Sequence, residues 1–430
     1  MELNDCTIQI FIENAWHDAA VLELTGDSAF GMKASTYLVY LQEYILKHWE
    51  KCDASALSVN MPVNLDSYAL NSWPAFLIDL LPQGFGRIEL LKQLHKDITA
   101  GSAADWALLC SGAGNPIGNL RIKEAHSWAS ERTSGLPRGF TLDEVASRAG
   151  EFNEYLAQHG LFLAGSSGVQ GEWPKILLTR AHDGLLYLDH TLADDQAEQH
   201  YIVKFGRGTD PSLANILRLE APYMRLAKYL GLNVYAELIL RERALFIPRF
   251  DRQIQNGKVI RFGQESIASL CEITGFSGLP NHNQICQKLS KVVTEPEKTI
   301  IEYIKRDIAN IVLGNKDNHA RNTAIQRGID GHIGLTPLFD FAPMWLHPDG
   351  IARRIRWQSD DGGLPNWRSV IQQASEATNL DISTLKSGVQ AMAAPMSTLR
   401  NYAKECGIEE EMLHPFENTL KNVRTQLEDL

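Results

Sequence analysis

The sequence lacks most of the devices that mark a secreted, membrane-spanning or nucleic-acid-coating protein. Its six cysteines, Cys6, Cys52, Cys110, Cys271, Cys286 and Cys406, are scattered along 430 residues, and none forms a C-x-x-C pair. That spacing disfavours a structural zinc site and fits reduced thiols in a cytoplasmic protein. There is no basic excess. The formal net charge of -11 argues against a surface that coats nucleic acid, although a local basic patch remains compatible with it. No apolar run approaches the roughly 20 residues of a spanning helix. The opening MELNDCTIQIF has neither the basic region nor the long apolar stretch of a signal peptide. No internal repeat and no long low-complexity segment is present. These absences point to a cytoplasmic protein with no membrane partner.

The composition, 44% hydrophobic and 22% charged, is that of a folded chain. The length exceeds one ordinary core and predicts two or three domains. TIQIFIE alternates and is β-branched, so it predicts a strand. STYLVYLQEYILKHWEK, Ser35 to Lys51, has helical spacing after a serine start signal. NSWPAFLIDLLPQGFGR reads as a short helix broken by Pro82 and Gly84, and DWALLCSGAGNPIGNLRI as a helix, a glycine-rich turn and a strand. These pieces predict a compact α+β unit over residues 1–125, ended by the polar stretch EAHSWASERTSGLPRG. TLDEVASRAGEFNEYL then predicts a helix capped by Thr141. The glycine turn GSSGVQG follows, with KILLTR, LLYLDH, HYIVKFG, one helix, and VYAELILRERALFIPRF. This order predicts a β-rich nucleotide-binding lobe with an antiparallel sheet over 126–262. From about residue 264 the periodicity is helical, giving a helical lobe over 263–430. The expected fold class is α+β and bilobal.

The densest polar cluster is GNKDNHARN, Gly314 to Asn322, directly after the apolar KTIIEYIKRDIANIVL. Gly314 and Asn315 suit a helix end, and a helix end leading into a polar loop is a suitable mount for catalytic groups. Phosphoryl transfer from a nucleotide needs an acceptor-side base, one or two metal ligands, and a cation on the phosphates held by a buried carboxylate. Protein kinases space these parts as Asp, then Asn five residues on, then a second Asp in a D-F-G-like turn. Here Asp317 precedes Asn322 by five residues, and GHIGLTPLFDFAP supplies Asp340 after two short strand-like runs. A hairpin in that interval would return both carboxylates to one side of a cleft. Upstream, Lys204 ends the apolar run HYIVKFG, and Glu220 stands sixteen residues later. A Lys–Glu pair would hold the lysine on the phosphates. Pro222 is unwelcome inside a helix, which predicts Glu220 in a first turn or at a kink. His319 reads equally well as a packing histidine.

In this order, GNKDNHARN, LTPLFDFAP, HYIVKFG, LGLNV and RFDRQ resemble the HipA family of bacterial toxin–antitoxin serine/threonine kinases, and ALSVNMP, FLIDLLPQG and DWALLCSGAGNPIGNLRI resemble that family's first subdomain. The resemblance runs from about residue 7 to at least residue 345. It implies a protein-kinase-like fold with an extra N-terminal subdomain, an ATP- and Mg2+-dependent activity, a protein substrate, and neutralisation by a small helix-turn-helix antitoxin that links the kinase to DNA. Residue by residue it implies Asp317 as general base, Asn322 and Asp340 as metal ligands, and Lys204 on the ATP phosphates with Glu220 behind it. It also implies Pro248, Arg249 and Phe250 at the hinge beside the adenine, and His319, Ala320, Arg321 and Asn322, with Phe339 and Asp340, lining the nucleotide pocket. The family's phosphate loop, S-x-x-G-x-Q-x-K, corresponds here to GSSGVQGEWPK. Ser167, Gly168, Val169, Gln170, Gly171 and Glu172 would then lie over the phosphates. Gly165 replaces the serine that family members autophosphorylate, leaving Ser166 and Ser167 as adjacent candidates. Glu172 replaces the lysine, and Lys175 stands three residues later. Read from its glycines alone, the loop is rather an ordinary hairpin turn, and its place one strand before Lys204 is what favours the phosphate reading.

The basic segment IARRIRWQSDDGG could face a phosphorylated loop, an acidic protein or DNA, or be a solvated turn balanced by Asp360 and Asp361. Trp106, Trp173, Trp345, Trp357 and Trp367 read as packing residues. The same D-x-x-x-x-N logic would serve a small-molecule or lipid kinase, a catalytically silent kinase-shaped regulator, or a metal-dependent nuclease.

Overall fold

The computed structural model describes residues 4–115, 117–132, 136–158, 173–206, 208–275 and 278–430. The chain begins with an antiparallel sheet of β1 (Asp5–Ile12), β2 (Ala15–Leu24), β3 (Thr36–Tyr40), β4 (Ser67–Leu70) and β5 (Leu120–Ile122), in the order β4-β3-β2-β1-β5. Ile8, Ile10 and Ile12 of the β1 strand are almost fully buried, as befits a strand inside a sheet. Around this sheet pack α1 (Gln42–His48), α2 (Ala75–Leu80), α3 (Gly84–Gln93), α4 (Asp105–Gly112) and α5 (Lys123–Arg132).

Two expectations change here. The helix expected from Ser35 to Lys51 begins only at Gln42. Thr36–Tyr40 is a strand paired with β2, with Thr36, Leu38 and Tyr40 turned inward. Its β-branched and aromatic residues suit a pleated surface, and sheet pairing overrides the local helical spacing. The polar stretch read as a boundary contains α5, a surface helix tied to the first sheet. Ala125 is fully buried, and the Thr7 amide donates to Glu124 Oε2 at 2.9 Å.

Thr141 caps α6 (Leu142–Ala146) in a reciprocal capping box with Glu144. The run is two helices rather than one, because Arg148 takes a positive φ of 51° before α7 (Gly150–Gln158). The second sheet comprises β6 (Lys175–Ala181), β7 (Leu186–Leu188), β8 (Ala197–Phe205), β9 (Ile239–Arg241) and β10 (Ala244–Pro248), in the order β7-β6-β8-β10-β9 with antiparallel neighbours. Between β8 and β9 runs α8 (Pro211–Tyr229). The β11 (Arg252–Gln255) and β12 (Lys258–Arg261) strands form a hairpin.

The helical lobe is not purely helical. It opens on β13 (Gly263–Ser266), which pairs with β14 (Ala324–Arg327) and then β15 (Ile333–Leu335). Around this small sheet lie α9 (Ile267–Leu270), α10 (His282–Val292), α11 (Pro296–Val312), α12 (Trp367–Thr378), α13 (Ile382–Gln390), α14 (Ala393–Glu405), α15 (Glu410–Leu413) and α16 (Glu417–Glu428). The whole is α+β and bilobal, with the first unit as an added body.

One apolar core runs without a break from β1 to Phe246 of the β10 strand, and a second fills the helical lobe. Polar seams join the first unit to the third. The fully buried Arg327 donates to the carbonyls of Asp53, Ala56 and Leu57 at 3.0, 2.9 and 3.2 Å. Glu265 accepts from Ser58 Oγ at 2.6 Å and the Val59 amide at 3.0 Å. Each buried charge finds partners, as burial demands. Trp106, Trp357 and Trp367 are core residues, while Trp173 lines the cleft between the lobes.

Candidate active site

Lys204 lies at the end of β8, directly opposite Lys175 of the neighbouring β6. Both lysines are buried. Asp210 caps the helix that follows by accepting from the Ser212 amide at 2.7 Å, and Pro211 starts it. Glu220 sits in the third turn, not in the first, and two residues before Pro222. The helix runs on through Pro222, at the expense of the one hydrogen bond that proline cannot donate. Lys204 Nζ donates to Glu220 Oε1 at 2.7 Å and Oε2 at 2.9 Å, and also to Asp340 Oδ1.

The second half of the site hangs from the end of α11. Gly314 takes φ +68°, and a Cβ there would overlap the Phe416 ring, so only glycine fits this exit. In the loop beyond it, Asn322 Nδ2 donates to the Asp317 carbonyl at 2.9 Å, and His319 Nε2 lies 3.7 Å from Asp317 Oδ1. The β14–β15 hairpin then carries the chain back to Asp340. That residue holds the left-handed region at φ 54°, which aspartate tolerates better than most. Phe341 beside it is buried against Tyr223 of α8, which anchors the turn.

The charges follow from this geometry. Burial alone would lower the Lys204 ammonium, but Asp340 and Glu220 outweigh it and hold the pKa above its ordinary value. Burial pulls Lys175 down to about 8, against the attraction of Asp340. Asp340 is pushed up by burial, yet Lys204 and Lys175 prevail and hold it well below the carboxylate range. Asp317 is raised, by burial and then by the nearby Asp340 charge, although His319 opposes this. Two carboxylates of one cleft are thus driven apart, one firmly ionised and one more basic.

A cleft of about 1120 Å³ lies between the lobes. Ile202, Pro248, Phe250 and Phe339 line it from the lobes, and Phe76 and Leu80 from the first unit. Asn322, Asp340, Lys204 and Arg321 lie at its polar end. The Arg321 guanidinium is drawn to Asp79 at 2.6 Å. His319 and Ala320 line the adjoining groove, of about 1790 Å³, which also holds Asp317 and Asp340. Arg249 borders the cleft, but its guanidinium is buried between Asp251, at 2.6 Å, and Asp189, at 3.4 Å. Its charge is therefore structural, and what it offers the cleft is position. Ser166, Ser167, Gly168, Val169, Gln170, Gly171 and Glu172 lie outside the described residues.

Residues 32–123 match the HipA N-terminal domain, and residues 167–424 match the HipA-like C-terminal domain. The chain belongs to the HipA family. A Sinorhizobium fredii protein provisionally named kinase Y4mE is 26% identical to this HipA-family chain over 320 residues, 68% of this chain and 69% of its own. HipA of Shewanella oneidensis MR-1, solved with HipB and operator DNA, superposes with a TM-score of 0.64 at 18% identity, covering 98% of this chain and 96% of that one. That likeness shows a shared HipA fold. A Helicobacter pylori proinflammatory kinase, CtkA, covers 61% of this chain and 94% of its own at 15% identity and a TM-score of 0.37, too distant to carry an argument.

Within this HipA-family structure some site residues were not anticipated. Asp79 accepts from both the Ser266 amide, at 2.9 Å, and the Ser266 hydroxyl, at 2.8 Å, as well as from Arg321. The signal was available, since an aspartate inside the apolar FLIDLL needs buried partners. Asp189 had no such signal, because its partners Arg249 and Arg252 are some sixty residues away. The basic segment is divided. Arg353 pairs with Asp361 at 2.7 Å and Asp307 at 2.8 Å, and Arg356 lies 3.5 Å from Asp361. Asp360 instead accepts from Ser369.

Proposed function

We propose that this protein is an ATP- and Mg2+-dependent serine/threonine protein kinase of HipA type. The observation that carries the reading is the three-way contact of Lys204 with Glu220 and Asp340, in a groove that Asp317 also lines. Lys204 would hold the α/β-phosphates, and Glu220 would keep its side chain from swinging away. The acceptor hydroxyl oxygen forms a bond to the γ-phosphorus while the bond to the β–γ bridging oxygen breaks. The hydroxyl proton passes to the Asp317 carboxylate, and ADP leaves. The raised pKa of Asp317 suits a proton acceptor.

The donor set fits a hard divalent cation. Asp340 is held ionised, and Asn322 donates through its nitrogen to Asp317, which turns its amide oxygen to other uses. Asn322 and Asp340 would hold Mg2+, which neutralises charge on the phosphates when bound. The apolar end of the cleft, with Pro248, Phe250 and Phe339, suits a purine. The loop 166–172 would cover the phosphates, with Ser166 or Ser167 as candidates for self-phosphorylation.

The resemblance supports a growth-inhibiting toxin paired with a helix-turn-helix antitoxin, and through it with operator DNA. The Shewanella complex, which contains HipA, HipB and DNA, is consistent with such partners. Among the described residues no helix is long and apolar enough to cross a membrane. The test is incubation of the purified protein with γ-labelled ATP, Mg2+ and a bacterial lysate. A labelled protein band that disappears with Asp317→Ala supports the reading. Label confined to small molecules, or a band indifferent to the substitution, refutes it.

A further inference from the structure

The basic segment 351–363 supplies one cation to the cleft that the reaction does not use. Asn318, next to Asp317, clasps this segment at two points. Its Oδ1 accepts from the Arg354 amide at 2.8 Å, and its Nδ2 donates to the Ile355 carbonyl at 2.9 Å. Arg354 is therefore held beside the loop that carries Asp317. On the other side of Asp317 stands Lys316. Both cations are exposed, and both line the groove that contains Asp317 and Asp340.

The neighbouring charges are already matched. Lys204 is engaged by Glu220 and Asp340, Arg321 by Asp79, and Arg353 and Arg356 by Asp361. Among the described residues, no carboxylate lies within 4.0 Å of Lys316 or Arg354. Of the acids lining the groove, Glu220 and Asp340 share the single Lys204 ammonium, and Asp317 is the proposed base. Asp349 stands on the same rim, 3.7 Å from His347 Nδ1. A chain of net charge -11 thus carries on the rim of this groove two exposed cations with no carboxylate of the described residues in ion-pair reach. Lys316 precedes the proposed base in sequence, and Arg354 lies on the segment that Asn318 clasps. In an acidic protein such a rim attracts anionic segments and repels cationic ones, and so sets register more than raw affinity.

We infer that Lys316 and Arg354 form a cationic lip that selects a protein acceptor whose serine or threonine is flanked by acidic side chains. This rests on the kinase reading and names its substrate class. Lys316 belongs to the loop that carries Asp317 and Arg354 is clasped to that loop by Asn318, whereas Lys204, which would serve the nucleotide phosphates, comes from β8, so the occupant of the lip is the acceptor.

The test uses the full chain and fluorescein-labelled peptides of equal length, with a central serine flanked by glutamate, alanine or lysine. Fluorescence anisotropy at low salt should rank glutamate above alanine by about 10-fold, with lysine weakest. The double variant Lys316→Glu/Arg354→Glu should abolish that ranking while affinity for a fluorescent ATP analogue stays unchanged. Circular dichroism would verify the fold, since both side chains are exposed. Equal binding of the three peptides overturns the inference. So does a ranking that survives the double variant, a fall in nucleotide affinity, or an oligonucleotide that displaces the glutamate peptide at lower concentration than unlabelled peptide does. Phosphate transfer is read in parallel from γ-labelled ATP. Glutamate-dependent binding without transfer to any peptide supports the lip and counts against the kinase reading. Transfer to all three peptides at one rate upholds the kinase and overturns the lip.

Discussion

Replacing Lys204 by methionine isolates what the central ion cluster does. The side chain is of similar length, so packing changes little, but the ammonium shared by Glu220 and Asp340 is lost. Glu220 is only 3% exposed. Breaking a buried pair by removing one partner leaves an uncompensated charge and costs about 3–5 kcal/mol. Burial pushes the Glu220 carboxyl up even beside Lys204, and without the cation that push is unopposed by its main partner. The sign follows. A carboxyl whose folded pKa is raised favours the protonated folded state, so the penalty is absent below its unfolded value near pH ~4.3 and grows as pH rises through the folded value. The urea midpoint of Lys204→Met should thus fall further below wild type at pH 8 than at pH 5. Adding Glu220→Gln removes the stranded charge and should recover about 1–3 kcal/mol at pH 8, a coupling expected of groups in direct contact. Phosphate transfer should stay about 10²–10³-fold down in both variants, because the lost cation acts on developing charge. The reasoning is refuted if the single and double variants are equally stable at pH 8, or if the deficit is the same at both pH values. Transfer restored by Glu220→Gln would refute it as well.

Three further outcomes are expected. Asp317→Asn should reduce the transfer rate by about 10²–10⁴ and erase the acid limb of the rate–pH profile. In wild type that limb should lie above the ~3.9 of a free aspartate, because burial raises this carboxyl. Asp189→Asn should cost about 3–5 kcal/mol by urea denaturation at pH 7, since Arg252 and Arg249 lose their shared counter-charge. Burial pushes Asp189 up, but Arg252 and Arg249 hold it well below its ordinary value; its stabilisation is therefore present above the unfolded pKa and should fade as pH falls through the folded one. Gly314→Ala should cost at least about 1–2 kcal/mol for the left-handed backbone alone, with the added methyl displacing Phe416; thermal unfolding measures it.

The residues that the structure gathers around Lys204 were legible because each belongs to a short local pattern. Asp317, Asn322 and Asp340 could be read from a loop and a hairpin, and Lys204 from the end of an apolar strand. What escaped depended on distant partners. Thr36–Tyr40 has residues that would suit one face of a helix, yet the edge offered by β2 turned it into a strand. The serine-rich run after Ile122 looked like a linker, since only Ala125 of its helix is fully buried. Glu220 was expected in a first turn or at a kink because of Pro222, but the helix starts at Pro211 and continues past that proline, tolerating one missing hydrogen bond. The resemblance implied Arg249 at the hinge beside the adenine, but its charge is turned inward because Asp189 and Asp251 wait there.

The Arg327 and Glu265 seams have a mechanical meaning. A two-jawed enzyme opens about a single hinge, but here a third body grips both jaws. It holds the helical lobe through those seams, and the β-rich lobe through the shared core and the Gly118 amide, which donates to Asp251 at 2.8 Å. Wide gaping would tear buried ionic contacts from water-free surroundings. In the proposed kinase, nucleotide exchange should therefore proceed by small local movements at the mouth, and the amides of β13 and β14 should be among the slowest in the molecule to trade their protons for deuterium.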